Sequence, residues 1–357
     1  MTAPRLAAAP GPANEAELEE RLSAPTRAAI DALGRCPGDV VVLGAGGKMG
    51  PSLARMLRRA ANASGGDARR VIAVSRWSAP DDGAERALHD AGVETRRCDL
   101  LDRAAVAALP DAPNVLFMAG QKFGTSEAAH RTWAMNTIVP AVCAERYAGS
   151  RTVAFSTGNV YGLSPVGAGR TAPRMSVESD ALAPAGEYAT SCVGRERVFE
   201  HFAATRGTPV SIVRLNYAVD LRYGVLVDVA RRVWSGETVD VTMGYVNVIW
   251  QGDANALAIT ALAHAAAPPF VVNVTGPLRL AVRDVAHDLG ALLGRTPLLT
   301  GAEAPDALLS DSARMRTILG DVEVDYWTLV SWVAAWVKRG GRVLGKATRF
   351  EVRDGNF

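Results

Sequence analysis

The strongest constraint on the fold is a repeated alternation of short apolar runs with segments of helical periodicity. Strands that alternate with helices in this way predict a parallel sheet covered by helices on both faces. The apolar runs comprise residues 40–43, 71–74, 115–118, 152–155 and 210–215, and the helical segments include residues 51–60, 104–109, 128–148 and 188–204.

Charge and cysteine usage exclude several classes of function. The 357 residues carry a formal net charge of +2, which gives no support for a nucleic-acid or membrane-surface partner. The four cysteines lack CxxC spacing and the five histidines lack HxxxH spacing, so we predict free thiols, a cytoplasmic protein and no metal site. No uncharged apolar stretch approaches the roughly 20 residues that a membrane-spanning helix needs.

The first apolar run continues directly into a glycine-rich turn and a helix. Gly44, Gly47 and Gly50 follow residues 40–43 without interruption. Small residues here let the backbone turn tightly and approach a pyrophosphate at the helix N-terminus, which predicts a dinucleotide site. A Walker A loop is rejected because Met49 stands where that motif requires Ser or Thr.

The pattern predicts an α/β fold, a Rossmann-like doubly wound parallel sheet with a smaller C-terminal substrate lobe. An amphipathic helix is expected within residues 14–33. The predicted divisions are a disordered leader and N-terminal helix (1–38), an NAD(P)-binding Rossmann domain (39–215, joined by parts of 245–275), a substrate-binding lobe (216–340) and a peripheral C-terminal tail (341–357).

The end of the second predicted strand bears on the choice of coenzyme. An acidic residue at this point would bind the adenosine ribose hydroxyls and favour NAD. Ser75 and Arg76 stand there instead, and a hydroxyl beside an arginine suits a 2′-phosphate. Lys48 adds positive charge nearby. The sequence therefore favours NADP over NAD, while a purely solvated Arg76 is the alternative; Asp99 is expected near the adenine.

Further motifs resemble the extended short-chain dehydrogenase/reductase family, in its NAD-dependent epimerase/dehydratase branch. The G-x-x-G-x-x-G spacing, the segments 117–120 and 155–162, Asn136 and Tyr188 carry this likeness in the family's order. The resemblance implies Thr157 and Tyr188 as catalytic groups, and Thr157, Asn159 and Asn216 as substrate contacts. The coenzyme contacts that it implies are Gly44, Gly46, Gly47, Lys48, Met49, Gly50, Ser75, Arg76, Asp99, Leu100, Ala119, Gly120, Asn136 and Tyr188.

The resemblance also implies an activity and an assembly. A member of this family would transfer hydride between NAD(P) and a small-molecule substrate, here a sugar, a sugar acid or a related hydroxy or keto compound. A homodimer formed through residues 128–148 and 188–204 is expected. The stretch 243–253 lacks the arginine that nucleotide-sugar members often carry, so Arg222, Arg231 and Arg232 are considered either as anion ligands or as a solvated face.

One charged residue of the family pattern is absent. The motif is Tyr-x-x-x-Lys, and Cys192 stands in place of the lysine four residues after Tyr188. Without that ammonium the pKa of Tyr188 is expected near the ordinary phenol value of about 10. Three interpretations stay open: Arg195 reaches back to supply the charge, Cys192 itself reacts as a catalytic group, or the protein is a non-catalytic NAD(P)-binding pseudoenzyme. An ordinary surface ion pair is the other role considered for Arg195.

Overall fold

The structure is a computed structural model that describes residues 10–65, 68–77, 83–124, 127–167 and 174–356. The part of the expected leader before residue 10 lies outside these residues. The strands, in chain order, are β1 (Val40–Leu43), β2 (Val71–Ser75), β3 (Glu94–Arg97), β4 (Asn114–Phe117), β5 (Arg151–Thr157), β6 (Ser164–Pro165), β7 (Val210–Leu215), β8 (Ala218–Val219), β9 (Thr238–Asp240), β10 (Tyr245–Val246), β11 (Ile249–Trp250), β12 (Phe270–Val274), β13 (Leu280–Ala281), β14 (Leu298–Thr300) and β15 (Asp306–Ala307).

A seven-stranded sheet forms the centre of the molecule. Its order is β12-β7-β5-β4-β1-β2-β3, and every neighbouring pair is parallel. From β1 the chain adds β2 and β3 on one side of that strand. It then returns to the other side of β1 and adds β4, β5, β7 and β12 in turn. Such a switch point opens a crevice at the carboxyl ends of the strands. The predicted Rossmann-like parallel sheet is confirmed.

Helices cover both faces of this sheet. They are α1 (Glu15–Leu22), α2 (Arg27–Gly34), α3 (Gly50–Ala63), α4 (Ala84–Asp90), α5 (Arg103–Ala107), α6 (Ala129–Trp133), α7 (Val139–Arg146), α8 (Gly186–Arg206), α9 (Val225–Ser235), α10 (Gln251–Leu262), α11 (Val282–Leu293), α12 (Ala313–Ile318) and α13 (Tyr326–Lys338). In β1, Val40 and Val42 pack with α2, α3 and α10, whereas Val41 and Leu43 pack with α5, α7 and α8. Alternate residues thus fill two apolar layers, as a doubly covered strand requires.

A second apolar core lies in the C-terminal half of the chain. It joins α9, α11 and α13 and takes in Leu18 and Leu22 of α1. The expected N-terminal helix is in fact two helices, because the chain turns at Pro25 and α2 restarts with the Thr26 hydroxyl accepting from the Ala29 amide. None of the helices in the described ranges is long and apolar enough to cross a membrane.

The C-terminal tail is not peripheral, contrary to expectation. Phe350 is 2% exposed and joins the second core. Thr348 donates its amide and its hydroxyl to one Asp228 carboxylate oxygen at 2.8 and 2.7 Å, and Glu351 pairs with Arg232. The tail therefore crosses the lobe and reaches the N-terminus of α8, where Gly355 contacts Gly186.

Candidate functional site

A cleft runs along the carboxyl ends of β1, β2, β4 and β5. Its first part has a volume of about 460 Å³ and brings together nine of the residues predicted to bind coenzyme: Gly44, Gly46, Gly47, Ser75, Arg76, Asp99, Leu100, Ala119 and Gly120. Met118, within the segment 117–120, also lines it, as do Trp77, Met135 and Lys346, which were not predicted as coenzyme contacts. Residues separated by some 75 positions along the chain thus share one wall because parallel strands end at the same edge.

The glycine turn has the shape that a phosphate cradle requires. Gly44 adopts φ of +89°, and a Cβ there would lie 2.6 Å from the Ala119 amide nitrogen. At Gly47 a Cβ would meet nothing nearer than 3.6 Å, so this glycine borders open space in the cleft. α3 begins just beyond the turn without a side-chain cap at Met49. Its first amides are free of a side-chain acceptor and suit a pyrophosphate.

Two predicted contacts near the turn have different surroundings. Gly50 packs against the Ala45 carbonyl, where a Cβ would overlap the backbone, so it sets the approach of α3 and does not line the cleft. The Lys48 ammonium lies 2.8 Å from the centroid of the Tyr223 ring. Burial, with a smaller contribution from the charge of Lys122, lowers the pKa of Lys48 to about 7.

The second part of the cleft contains the predicted catalytic hydroxyls. It is lined by Lys48, Met49, Lys122, Thr157, Asn159, Tyr188, Asn216, Tyr217, Tyr223, Gln251 and Thr348, among others. The Thr157 hydroxyl oxygen accepts hydrogen bonds from the Asn159 amide at 3.2 Å and from Asn159 Nδ2 at 2.9 Å. Because both of these bonds end on the oxygen, the hydroxyl proton is left to donate into the pocket or to Tyr188.

Tyr188 lies between Thr157 and Cys192, and its phenol hydrogen-bonds to both side chains. Burial raises the pKa of Tyr188 far above its usual value, and the charge of Arg195 lowers it only in part. The expectation of an ordinary phenol pKa is therefore wrong, since it ignored desolvation. With its pKa raised in this way, the phenol is neutral at physiological pH.

Cys192 is a packing residue in this structure. It is fully buried, with 0% of its surface exposed, and packs against Val160 and Tyr161. Burial raises the pKa of its thiol, with opposing contributions from Arg195 and Tyr188. A buried thiol of raised pKa is a poor nucleophile. A catalytic role for Cys192 itself remains only a prediction.

Asn136 connects the loop after β4 to α8 by hydrogen bonds. It lies in a π-helical turn, Ala134–Ile138, that joins α6 to α7. Its Oδ1 accepts from the Gln121 amide at 2.9 Å and from Arg195 Nη2 at 2.6 Å, and its Nδ2 donates to the Gln121 carbonyl and to the Ser191 hydroxyl. All four positions of the amide are occupied within the protein. Direct contact between Asn136 and coenzyme stays a prediction.

Arg195 is buried, and both of its terminal nitrogens already donate hydrogen bonds within the protein. It is 6% exposed, so the interpretation as a surface ion pair is wrong. Its Nη1 donates to the Phe155 carbonyl at 2.8 Å, while Nη2 is bound to Asn136. A side chain at Gly120 would overlap the guanidinium, which explains the glycine in the loop after β4.

Asn216 lies where β7 ends and is 2% exposed. Its Nδ2 donates to Asn247 Oδ1 at 3.0 Å, and Asn247 Nδ2 donates to the Ser310 carbonyl at 2.6 Å. This chain of buried amides connects the pocket to the C-terminal lobe. The substrate contact expected of Asn216 remains a prediction that its place in the pocket wall permits.

The arginines considered as anion ligands have other partners. Arg222 pairs with Asp220 and Glu19 at 2.6 Å each, and Arg232 pairs with Glu351. Arg231 is exposed on α9. Of the described residues that line the second part of the cleft, Lys48 and Lys122 are the positively charged ones. Among the described residues, no group of three or more His, Cys, Asp or Glu side chains is arranged to bind a metal.

Sequence reasoning missed Lys122, Lys346 and Thr348. Lys122 follows the fourth-strand segment by two residues, so its position after a parallel strand was an available signal. Lys346 and Thr348 belong to the tail, and no motif marks them.

Solved structures share this architecture at low sequence identity. The UDP-glucose 4-epimerase of Thermotoga maritima matches with a TM-score of 0.68 and 17% identity, covering 85% of this chain and 99% of its own. The dTDP-glucose 4,6-dehydratase DesIV of Streptomyces venezuelae, solved with NAD, matches with a TM-score of 0.69 and 20% identity, covering 84% of this chain and 97% of its own. MoeE5, solved with UDP-glucuronic acid and NAD, matches with a TM-score of 0.67 and 21% identity, covering 85% of this chain and 100% of its own. At these identities the likeness shows the fold.

Sequence comparison gives the family. A search of curated protein sequences found no significant match. The family model described as "NAD dependent epimerase/dehydratase family" matches residues 40–222, just over half of the chain. This span begins with β1 and contains the glycine turn, Thr157 and Tyr188. The chain belongs to the NAD-dependent epimerase/dehydratase family.

Proposed function

We propose that the protein is an NAD(P)-dependent epimerase/dehydratase-like oxidoreductase that acts on a sugar, a sugar acid or a related hydroxy or keto compound. The observation that carries the proposal is the cleft itself. The glycine turn and the pair Thr157 and Tyr188 open into connected parts of one crevice, with Lys48 between them.

The residues of the first part fit a dinucleotide. Gly47 leaves room beside the uncapped N-terminus of α3, where pyrophosphate oxygens can accept from backbone amides. Ser75 and Arg76 border the same cavity, and Arg76 is exposed toward it, which supports NADP over NAD. When bound, the nicotinamide would supply or accept the hydride.

The chain's own contribution is to place and move a proton. Thr157 is fixed by its two bonds from Asn159, so its hydroxyl can hold a substrate oxygen against Tyr188. Neutral Tyr188 then donates its proton to an oxygen that gains negative charge during reduction. The raised pKa of the phenol favours the reductive direction over alcohol oxidation.

The cations of the pocket favour an anionic substrate. Lys48 and Lys122 both line the wall that holds Thr157 and Tyr188. The matched structures were solved with UDP-glucose, UDP-glucuronic acid or a thymidine nucleotide. A sugar acid or a phosphorylated sugar would place its negative charge against these lysines, in keeping with a nucleotide-sugar or sugar-acid substrate.

A pseudoenzyme is the second candidate, and the burial of Cys192 favours it. A fully buried thiol offers no positive charge to Tyr188. In this alternative the protein binds NAD(P) and acts as a sensor or scaffold.

Coenzyme fluorescence and a reaction screen separate the two candidates. NADPH and NADH are titrated separately into the protein, and UDP-glucose, UDP-glucuronic acid, dTDP-glucose and simple keto sugars are then screened for turnover. We expect binding of NADPH and turnover that Tyr188→Phe and Thr157→Val each reduce by at least about 100-fold. Tyr245→Phe, outside the pocket, is the control. Binding without turnover would support the pseudoenzyme; no binding would refute both.

The proposal also extends to assembly and location. A homodimer through residues 128–148 and 188–204 is supported by the exposed Trp133 and Ile138 on the first of these segments. Light scattering on the purified protein tests the homodimer, and a monomer with unchanged activity would contradict it.

The four cysteines are free and buried, which supports a reducing, cytoplasmic environment.

A further inference from the structure

Position 192 of α8, where the family motif has a lysine, has no room for another positively charged side chain from that helix. Cys192 fills it completely and packs on Val160 and Tyr161. Arg195, one turn further, donates both of its terminal nitrogens to the Phe155 carbonyl and to Asn136. These bonds direct the guanidinium to the end of β5 and hold it behind the pocket wall. From this fixed place Arg195 lowers the pKa of Tyr188 only in part. A cation that faces Tyr188 from inside the pocket must therefore come from another element.

The loop after β4 brings a lysine over the ring of Tyr188. Lys122 lines the pocket together with Thr157, Asn159 and Tyr188. Its Nζ lies 5.9 Å from the centroid of the Tyr188 ring and 5.5 Å from that of Phe123. Burial lowers the pKa of Lys122 to about 8, and interaction with Cys192 opposes this shift. The side chain therefore remains mostly cationic at neutral pH and is poorly screened by water.

We propose that Lys122 supplies, from the loop after β4, the positive charge that the Tyr-x-x-x-Lys lysine supplies from the helix in other members of the family. This inference rests on the proposed function. If the distance from the ammonium to the ring centre, about 6 Å, is taken as the separation of charges, an effective dielectric near 20 gives about 100-fold in favour of the phenolate. The exchange also explains how position 192 can hold a cysteine: the charge is retained although its helical position is lost.

Other titratable groups lie around this space, some lining it and some behind its wall or in the neighbouring pocket, and must be controlled. The glycine turn contributes Lys48, α8 contributes Tyr188, Cys192 and Arg195, the start of the lobe contributes Tyr217 and Tyr223, and the tail contributes Arg349 and Arg353. A test that reads the phenol at position 188 directly avoids confusion with these groups.

The test replaces Tyr188 with 3,5-difluorotyrosine, whose phenol is intrinsically more acidic, and follows its ionisation by fluorine NMR without coenzyme or substrate. We expect Lys122→Met to raise the pKa of this phenol by about one unit or more, at least tenfold in its ionisation constant. Lys122→Arg should raise it much less. Adding Cys192→Lys to Lys122→Met should return it toward the parent value, because a charge is restored from the helix.

The controls separate failure of this inference from failure of the proposed function. Lys338→Met, at the exposed end of α13, should leave the phenol unchanged. Lys122→Gln replaces Lys122→Met if the latter does not fold. An unchanged phenol pKa in a folded Lys122 variant overturns the inference, whether or not the protein binds NADPH. A shifted phenol in a protein that binds no coenzyme would leave the inference standing and refute the proposed function.

Discussion

Arg214 and Glu196 form a doubly hydrogen-bonded ion pair beneath the pocket that holds Thr157 and Tyr188. Arg214 Nη2 lies 2.7 Å from Glu196 Oε2 and Nε lies 3.0 Å from Oε1, with side-chain exposures of 5% and 1%. Ser156 donates a third bond to the same carboxylate at 2.5 Å, and Arg214 Nη1 donates to the Tyr161 hydroxyl at 2.8 Å. The pair thus connects α8, β5 and β7, the elements that place Tyr188, Thr157 and Asn216.

Removing one partner of this pair should strongly destabilise the fold. Arg214→Met leaves a buried carboxylate uncompensated, and we expect the free energy of unfolding to fall by about 3–5 kcal/mol. Arg27→Met removes an exposed partner of Asp31 and should cost no more than about 0.5 kcal/mol. Urea unfolding measures both. Equal losses in the two variants would show that burial of the Arg214 pair contributes nothing special.

Adding one methyl group at Gly47 should weaken coenzyme binding without weakening the fold. A Cβ there meets no protein atom closer than 3.6 Å, but it would stand in the space beside the turn. We expect Gly47→Ala to keep the parent melting temperature within a few degrees and to reduce NADPH affinity by at least about tenfold. Gly149→Ala, where a Cβ has open space, is the matched control. Unchanged affinity in Gly47→Ala would place the pyrophosphate elsewhere.

Arg76 should discriminate between the two coenzymes. Its exposed guanidinium borders the cavity that holds Ser75 and Asp99, and a charge-assisted bond to a 2′-phosphate is worth about 1.5–3 kcal/mol. We therefore expect Arg76→Leu to reduce NADPH affinity about tenfold or more and to leave NADH affinity nearly unchanged. Arg206→Leu, at the end of α8, controls for net charge. If both coenzymes lose affinity equally, the preference for NADP is wrong.

The sequence predicted the sheet and the glycine turn because both are local patterns. Strand–helix alternation and the spacing of Gly44, Gly47 and Gly50 need no tertiary information to be read. The same is true of Thr157 and Tyr188, which lie in contiguous motifs. Their convergence in one cleft followed from the rule that parallel strands end at one edge.

What the sequence did not predict depends on distant contacts. Arg195 is long and charged, and only the Asn136 amide and the Phe155 carbonyl make its burial possible. The pKa of Tyr188 is set chiefly by desolvation, which no spacing reveals. The tail was assigned to the periphery because its glycines and basic residues resemble a solvated end, yet Phe350 is anchored in the second core.

Asp253 should make stability decrease as pH rises. Burial raises the pKa of its carboxyl to about 7 in the folded protein, whereas the unfolded value is about 3.9. Between these values the folded state keeps a proton that the unfolded state has lost, so this stabilisation is complete below about pH 4 and is lost as pH rises through 7.

The matched variant is Asp253→Asn, which keeps an oxygen to accept from the Val324 amide, a bond of 3.0 Å in the parent. We expect its stability relative to the parent to increase between pH 5 and about pH 7 in urea unfolding series and to level off by pH 8. The exposed Asp284→Asn serves as the control. A stability difference that does not change over this range would show that Asp253 ionises normally.

Lys346 should contribute a salt-sensitive share of coenzyme affinity. Its side chain is exposed and borders the cavity beside Gly46 and Gly47. The tail is held in this place by one bond on each side of Lys346. Leu344 donates its amide to the Arg222 carbonyl at 3.0 Å, and Thr348 donates to Asp228. An exposed ion pair is worth up to about 1 kcal/mol, so Lys346→Met should weaken NADPH binding by up to about fivefold at low ionic strength. The difference should nearly vanish at about 1 M salt, where charges are screened within about 3 Å. Lys338→Met, on the exposed end of α13, carries the same charge change away from the cleft and should bind NADPH as the parent does. A loss that persists at high salt would mean that the tail acts on the cleft by packing and not by its charge.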